Sequence, residues 1–368
     1  MKHLIAAAIL MSTTLQGFSQ AKQYLLIGTY TSGKGEGIYV YSFDKGKLEP
    51  VSKVVTNNPS YLAVSPDQRF VYAVHEESKA NPNISSYAFD NQTGSLRLLN
   101  QQNTNGDHPC YVAVDNTGKW VAAANYSGGN FSVFPVNADG SLQPASQTIQ
   151  HEGKGKDPKR QSKPYVHSTV FAPDNKHLFV QDLGQDKIFN YNFNEKTGEA
   201  SPAADPYTAT AAGGGPRHLD FHPSMRYAYL MEEMSGNVIA LRYNNGILDT
   251  FQTISAIEKG YTADIGSADI HVSADGKFLY ASNRGQSNDI AVFRIDQKSG
   301  KLTHLTNTKL KGQGPRNFTI DPTGKFLLVA NQRTDNIEVY LRNPKTGLLT
   351  PTGTEISVGN PVCLKWIR

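Results

Sequence analysis

The sequence predicts an all-β chain, a seven-bladed β-propeller closed by pairing N-terminal outer strands with a C-terminal inner strand. Three observations predict it: a strand-and-turn segment that recurs seven times, a second strand after six of these whose seventh copy stands at the start of the chain, and glycine-bearing hairpin turns that complete the units. A period of roughly 40 to 50 residues marks a propeller or a solenoid. Composition agrees, because 32 Gly, 19 Pro, 18 Tyr and 16 Phe without helical apolar periodicity describe short strands joined by tight turns.

The recurring segment reads PSYLAVSPDQR from 59, PCYVAVDNTGK from 109, VHSTVFAPDNK from 166, PRHLDFHPSMR from 216, SADIHVSADGK from 267, PRNFTIDPTGK from 315 and, truncated, PVCLKWIR from 361. Successive copies are 50, 57, 50, 51, 48 and 46 residues apart. The second strands are FVYAVHE, WVAAANY, HLFVQDL, YAYLMEE, FLYASNR and FLLVANQ, and the missing seventh is YLLIGTY from 24. Third strands and their turns follow, as in ISSYAFDNQTGSL and IAVFRIDQKSGKL, with IYVYSFDKGKL from 38 as the seventh. The last strand thus lacks outer partners and the first lacks an inner one. Joining them closes the ring and removes an open sheet edge, which a solenoid would have no reason to arrange. One domain, residues 22–368, is expected.

Residues 1–20 carry Lys2 and His3, an apolar LIAAAILM stretch and then small and polar residues, the layout of a signal peptide cleaved close to Ser19 or Gln20. A periplasmic or secreted location is expected, with no membrane span, since no later apolar run is long enough. A net charge of +4, from 36 basic and 32 acidic residues, argues against a nucleic-acid footprint. The basic run Lys154 to Lys163 reads as a solvated loop, with attraction of an anionic substrate as the alternative. Cys110 and Cys363 could pair in an oxidising compartment, but they fall in non-adjacent units and are read as buried free thiols.

In a propeller the first strand of each blade lines the channel, so matching positions form rings. The first ring is Ser60, Cys110, His167, Arg217, Ala268, Arg316 and Val362; the next is Tyr61, Tyr111, Ser168, His218, Asp269, Asn317 and Cys363. Second strands return antiparallel to the same face and end in Thr29-Tyr30, His75-Glu76, Asn125-Tyr126, Asp182-Leu183, Glu232-Glu233, Asn283-Arg284 and Asn331-Gln332. One mouth of the channel is therefore dense in ionisable groups. Several arginines around one cavity suit a carboxylate or a phosphate. The structural alternative is a salt-bridged collar between blades.

The segments GTYT with GIYVYSFD, NPSYLAVSPD, HPCYVAVDNTGKWVAAANYSGGNFSVF, YVHSTVFAPDNKHLFVQDLGQD, GGGPRHLDFHPSMRYAYLMEE and SNRGQSNDIAVFRID resemble the lactonase family of seven-bladed propellers over essentially the whole mature chain. That family includes bacterial 6-phosphogluconolactonase and is similar to the fungal carboxy-muconate cyclase. The resemblance implies a catalytic set of His167, Arg217, Glu233 and Arg284, with Glu232 replacing the family's usual Asn and adding negative charge. It implies hydrolysis of a lactone: His167 or Glu233 activates water, and arginines hold the oxyanion or an acidic group. Arg316, Glu76, Tyr30, Asp182, His218 and Gln332 are the expected substrate-binding neighbours.

No GxSxG elbow, HExxH or paired CxxC is present, so a serine hydrolase and zinc are not expected. No cofactor or metal is assigned, though Glu76, Asp182, Glu233 or Asp269 leave a divalent cation open. Gly33, Gly35 and Gly37 read as turn residues, and His271 as a blade-packing residue. The expected partner is a small, anionic lactone, and the expected state a monomer or weak oligomer. A lactonising cyclase and a non-catalytic binding propeller remain the alternative functions.

Overall fold

The structure, a computed structural model, describes residues 23–78 and 83–367; the segment read as a signal peptide lies outside them. Twenty-eight strands form seven four-stranded antiparallel sheets among the described residues. Six sheets are continuous in sequence, from Pro59–Val64 in blade 1 to Leu349–Ser357 in blade 6. Blade 7 takes its inner strand, Pro361–Ile367, from the C-terminus and adds Gln23–Thr29, Gly37–Asp44 and Lys47–Val55. Tyr24 faces Ile367 and Ile27 faces Leu364, so the ring closes as the repeats predicted. The glycines at 33 and 35 lie in the hairpin between Gln23–Thr29 and Gly37–Asp44, as expected of turn residues.

Burial explains the strand types. Second strands are covered by a neighbouring blade on each face and are apolar almost throughout: all six residues of Trp120–Asn125 are buried. Outer strands have one covered face and alternate, as Gln147–Gln150 does. The core consequently lies between blades. Trp120, Ala122 and Phe131 of blade 2 pack on Val166, Phe171 and Leu178 of blade 3, and Leu25 and Ile27 of blade 7 on Leu328 and Ala330 of blade 6. Each fully buried large apolar side chain contributes about 1.5–3 kcal/mol.

Hairpin turns lock onto adjacent blades. The hydroxyls of Tyr72, Tyr229 and Tyr280 donate to the carbonyls of Gly140, Gly300 and Gly347 at 3.2, 2.9 and 2.8 Å, each in the following blade. Glycine is required at such a turn for two reasons: Gly198 has φ +75°, and a Cβ there would lie 2.1 Å from the Trp120 ring. Cys110 and Cys363 are buried free thiols in blades 2 and 7, as expected.

A bulge recurs at the channel end of every inner strand. In blade 1, Pro59 faces His75 and Tyr61 faces Val74, so Ser60 is left unopposed. The same shift passes over Cys110, His167, Arg217, Arg316 and Val362, and in blade 5 it falls between Ser267 and Ile270. A bulge re-aims a side chain and ends regular pairing. Here it takes the first ring off the pleat, so that two successive rings both face the channel.

Candidate functional site

Glu233, immediately after strand Tyr227–Glu232 of blade 4, is the hub. Arg217 Nε, from the inner strand of the same blade, donates to Glu233 Oε2 at 2.9 Å. Arg284 Nη2, from the end of blade 5's second strand, meets the same oxygen at 3.0 Å. His167 Nε2, on blade 3's inner strand, stands 3.9 Å away. The other oxygen, Oε1, receives Arg160 Nη2 at 2.5 Å. Three blades and one loop thus meet on a single carboxylate.

Electrostatics follow from that crowding. Burial alone would raise the Glu233 pKa, but the guanidinium charges of Arg284, Arg217 and Arg160 reverse this and hold it well below the usual carboxylate range. Burial and then the Arg217 charge push His167 well below the ordinary imidazole value, so it is neutral at physiological pH. Arg284 is lowered to about 10, by burial first, with Glu233 opposing the shift and the other arginines adding to it. It remains a cation near neutrality.

Beside this hub lies a second cluster. Tyr30 Oη donates to Glu76 Oε2 at 2.7 Å, Arg316 Nη2 lies 3.7 Å from the same oxygen, and the Arg316 guanidinium sits 5.1 Å from the Tyr30 ring centre. A cavity of about 540 Å³ opens above the two clusters, bounded by Arg160, Glu233, Arg284, Arg316, Gln332 and Arg333 among others. That volume is ordinary for a small-molecule site. A cavity of about 530 Å³ around Tyr24, Phe43, Lys45 and Phe326 lies at the opposite ends of the strands and holds no converging set of buried charges.

The two residues ending each second strand divide by strand alternation. The first of each pair, from Thr29 to Asn331, is buried between blades. The second, as in Tyr30, Glu76, Glu233, Arg284 and Gln332, borders the mouth. Asp182 belongs to the first set and does not bind substrate from there, contrary to the sequence expectation. It is fully buried and accepts from His151 Nδ1 at 2.8 Å, Gln185 Nε2 at 2.8 Å and the Tyr165 and Gly184 amides, so it anchors a loop. Glu232 shares this packing column: Ser235 Oγ donates to its Oε2, and burial raises its pKa, which opposes the added negative charge expected of it.

His218 lies one ring deeper, edge-on to both Tyr61 and Tyr111, whose own rings stack at 4.1 Å. Its Nδ1 donates to Asp269 Oδ1 at 2.7 Å, while Arg217 Nη1 lies 3.1 Å from its Nε2. His271 faces the channel rather than the blade packing expected for it, because it follows Asp269 by two residues and shares its side of the strand. Its Nε2 meets Asp269 Oδ2 at 2.9 Å.

Sequence reasoning missed Arg160 as a site residue. By its sequence the run Lys154 to Lys163 reads as a solvated loop, and its lysines are exposed, yet Arg160 reaches Glu233. The available signal was the interval of 57 residues between the second and third repeats, the longest of the six, since extra length between regular units places a loop over a face.

With this geometry in hand, comparison with known proteins gives consistent matches. The family described as lactonase, 7-bladed beta-propeller matches residues 24–366. The chain is 38% identical to a Bacillus subtilis 6-phosphogluconolactonase over 347 residues, 93% of this chain and 97% of that one. It is 36% identical to a Formosa agariphila 6-phosphogluconolactonase over 349 residues, 93% and 98% of the two. A solved structure of a Pseudomonas aeruginosa periplasmic gluconolactonase superposes with TM-score 0.91 at 38% identity, covering 94% of this chain and 99% of that one.

Proposed function

The chain belongs to the seven-bladed β-propeller lactonase family, and on that premise we propose that it hydrolyses a sugar-derived lactone at the Glu233 mouth of the channel. The observation that carries this reading is a carboxylate at the edge of an open cavity, fixed on one oxygen by arginines from separate strands and separated from the cavity on the other only by the Arg160 side chain. Water held on Glu233 Oε1 attacks the lactone carbonyl carbon, and Glu233 takes its proton. Charge gathers on the carbonyl oxygen, where Arg284 offers donors, while Arg316 at the cavity wall binds the rest of the substrate. The tetrahedral adduct collapses, the ring C–O bond breaks, and the proton passes to the departing ring oxygen to leave a hydroxy acid.

His167 acts from behind the carboxylate: a neutral imidazole 3.9 Å from Oε2 adds no further positive charge to a base already surrounded by guanidiniums. Arg217, 2% exposed, holds Glu233 in place by the same oxygen. Export, read from residues 1–20, is part of the proposal, and the periplasmic location in the name of the Pseudomonas relative is consistent with it. Mass spectrometry of the mature N-terminus in a fractionated native host tests that part; an intact Met1 in the cytosolic fraction overturns it.

The activity is tested by following proton release from a panel of five- and six-membered sugar lactones. Turnover above the spontaneous rate that is lost in Glu233→Gln supports the reading. No acceleration on any lactone overturns it in favour of a binding propeller.

A further inference from the structure

Arg160 stands apart from the other groups on Glu233. Arg217 and Arg284 come from strand ends and are 2% and 17% exposed, whereas the Arg160 side chain is 45% exposed and comes from the loop between blades 2 and 3. That loop is built to aim it. Asp157 Oδ1 accepts the amides of Lys159 and Arg160 at 2.8 and 3.1 Å. The next residue, Gln161, is fully buried and donates from Nε2 to Leu183 O at 2.8 Å and Asp186 Oδ1 at 2.7 Å. Asp186 also receives the amides of Gly213 and Gly215, which lead into Arg217. The base of the loop is therefore fixed to the turn of blade 3 that also holds the entry to blade 4, and the freedom left is that of one long side chain.

This side chain covers the oxygen the reaction needs. Oε2 of Glu233 is already shared by Arg217 and Arg284, so Oε1 is the oxygen that faces the cavity, and Arg160 holds it. The cavity wall carries four arginines, at 160, 284, 316 and 333, against the two carboxylates Glu233 and Asp264. An entering anion has a place there, and Arg160 is the most exposed of the three guanidiniums on Glu233.

We propose that Arg160 makes this site selective for a lactone bearing a carboxylate or phosphate: the substituent draws the guanidinium off Glu233 Oε1 and thereby frees that oxygen for water. The selection rests on the lactonase reading above. A neutral lactone has nothing to offer Arg160 and meets a covered base. One movement couples recognition of the charged group to exposure of the catalytic one.

The test uses the whole protein with glucono-δ-lactone, its 6-phosphate and the carboxylate-bearing glucaro-1,4-lactone. Arg160→Ala should lower kcat/KM on the charged substrates by about ten- to a hundredfold, the worth of one charge-assisted hydrogen bond. It should raise turnover of the neutral lactone, by about tenfold if Arg160 covers Oε1 in nine molecules of ten. Inorganic phosphate added in trans should activate neutral-lactone turnover by wild type and not by Arg160→Ala. Lys159→Ala, on the same loop but away from Glu233, should change none of these ratios, and unfolding midpoints confirm that each variant is folded. The phosphate and glucarate arms distinguish the two sources of charge. Equal losses on neutral and charged lactones in Arg160→Ala, or phosphate acting only as an inhibitor, overturn the proposal while leaving the lactonase reading intact. Absence of turnover on all three overturns both.

Discussion

Two buried carboxylates of neighbouring blades, Glu233 at the channel mouth and Asp269 in the second ring of inner-strand residues, are both held well below the usual carboxylate range. Their partners differ. Asp269 is 1% exposed and accepts from His218, His271, the Asn317 amide and the Phe318 backbone amide, so both oxygens are enclosed by four donors from three blades. Glu233 is 8% exposed, and only a side chain from a surface loop separates its Oε1 from the cavity. A lowered pKa by itself therefore marks neither catalysis nor structure. A fully bonded carboxylate is a tie between blades, and one with an oxygen toward a cavity is placed to react.

That contrast can be broken most directly at Glu233. Glu233→Gln keeps the size of the side chain and should cut kcat/KM on the lactone substrate by about 10²–10⁴-fold, the usual worth of a positioned base. Its urea midpoint should fall far less than that of Asp269→Asn. If the glutamine variant keeps its activity, Glu233 joins Asp269 as a purely structural group. Asp269→Asn is the reverse experiment: two histidines lose their common charge, and stability should drop by about 3–5 kcal/mol in urea unfolding. Its folded fraction should keep kcat.

Arg316 tests the edge of the reactive region. Arg316→Ala removes a donor at the cavity wall and leaves Glu76 bonded to Tyr30, so KM should rise by about tenfold with a smaller change in kcat. A fall in thermal stability without a change in KM would move Arg316 to the structural collar.

The smallest effect is a pH dependence of stability confined to the Asp269 cluster. Burial lowers the His271 pKa, but the Asp269 charge more than offsets this and raises it above 6.5; Asp220 adds to the rise and Lys365 opposes it. A raised folded value means that the charged ring stabilises the fold fully below the unfolded histidine pKa and loses that contribution as pH rises through the folded one. Asp269 is depressed, so its contribution is present above the ordinary carboxylate pKa and is lost as pH falls through its folded value. Unfolding midpoints of the wild type should thus decline on the alkaline side of 6.5, and the decline should be weaker in Asp269→Asn. Parallel curves for the two proteins would show that the pair contributes nothing.

Much of this was legible in the repeats, with limits set by geometry. The seven units, their strands and the closure of the ring follow from alternation and turn chemistry, which are local. Rings drawn across the units also brought out His167, Arg217, Glu233 and Arg284, since equivalent positions in a closed ring must lie at one height. The same columns set Asp182 level with Glu232 rather than Glu233, but they could not show which of the two columns packs between blades and which borders the cavity. The packing expected of His271 failed for a related reason: the bulge before it shifts which residues face the channel.

What the amino-acid order determined by itself is the unit and its number, because each repeat carries its own alternation, turns and interblade contacts. What only the tertiary structure decided is which charges share a carboxylate. Arg160 meets Glu233 across 73 positions of sequence from a loop that belongs to no repeat, and seven bulges turn a ring of side chains off the pleat toward one axis. Distances of 2.5 to 3.9 Å around Glu233 depend on how blades close around that axis, a sum of packing contacts spread over the whole ring that no single segment encodes.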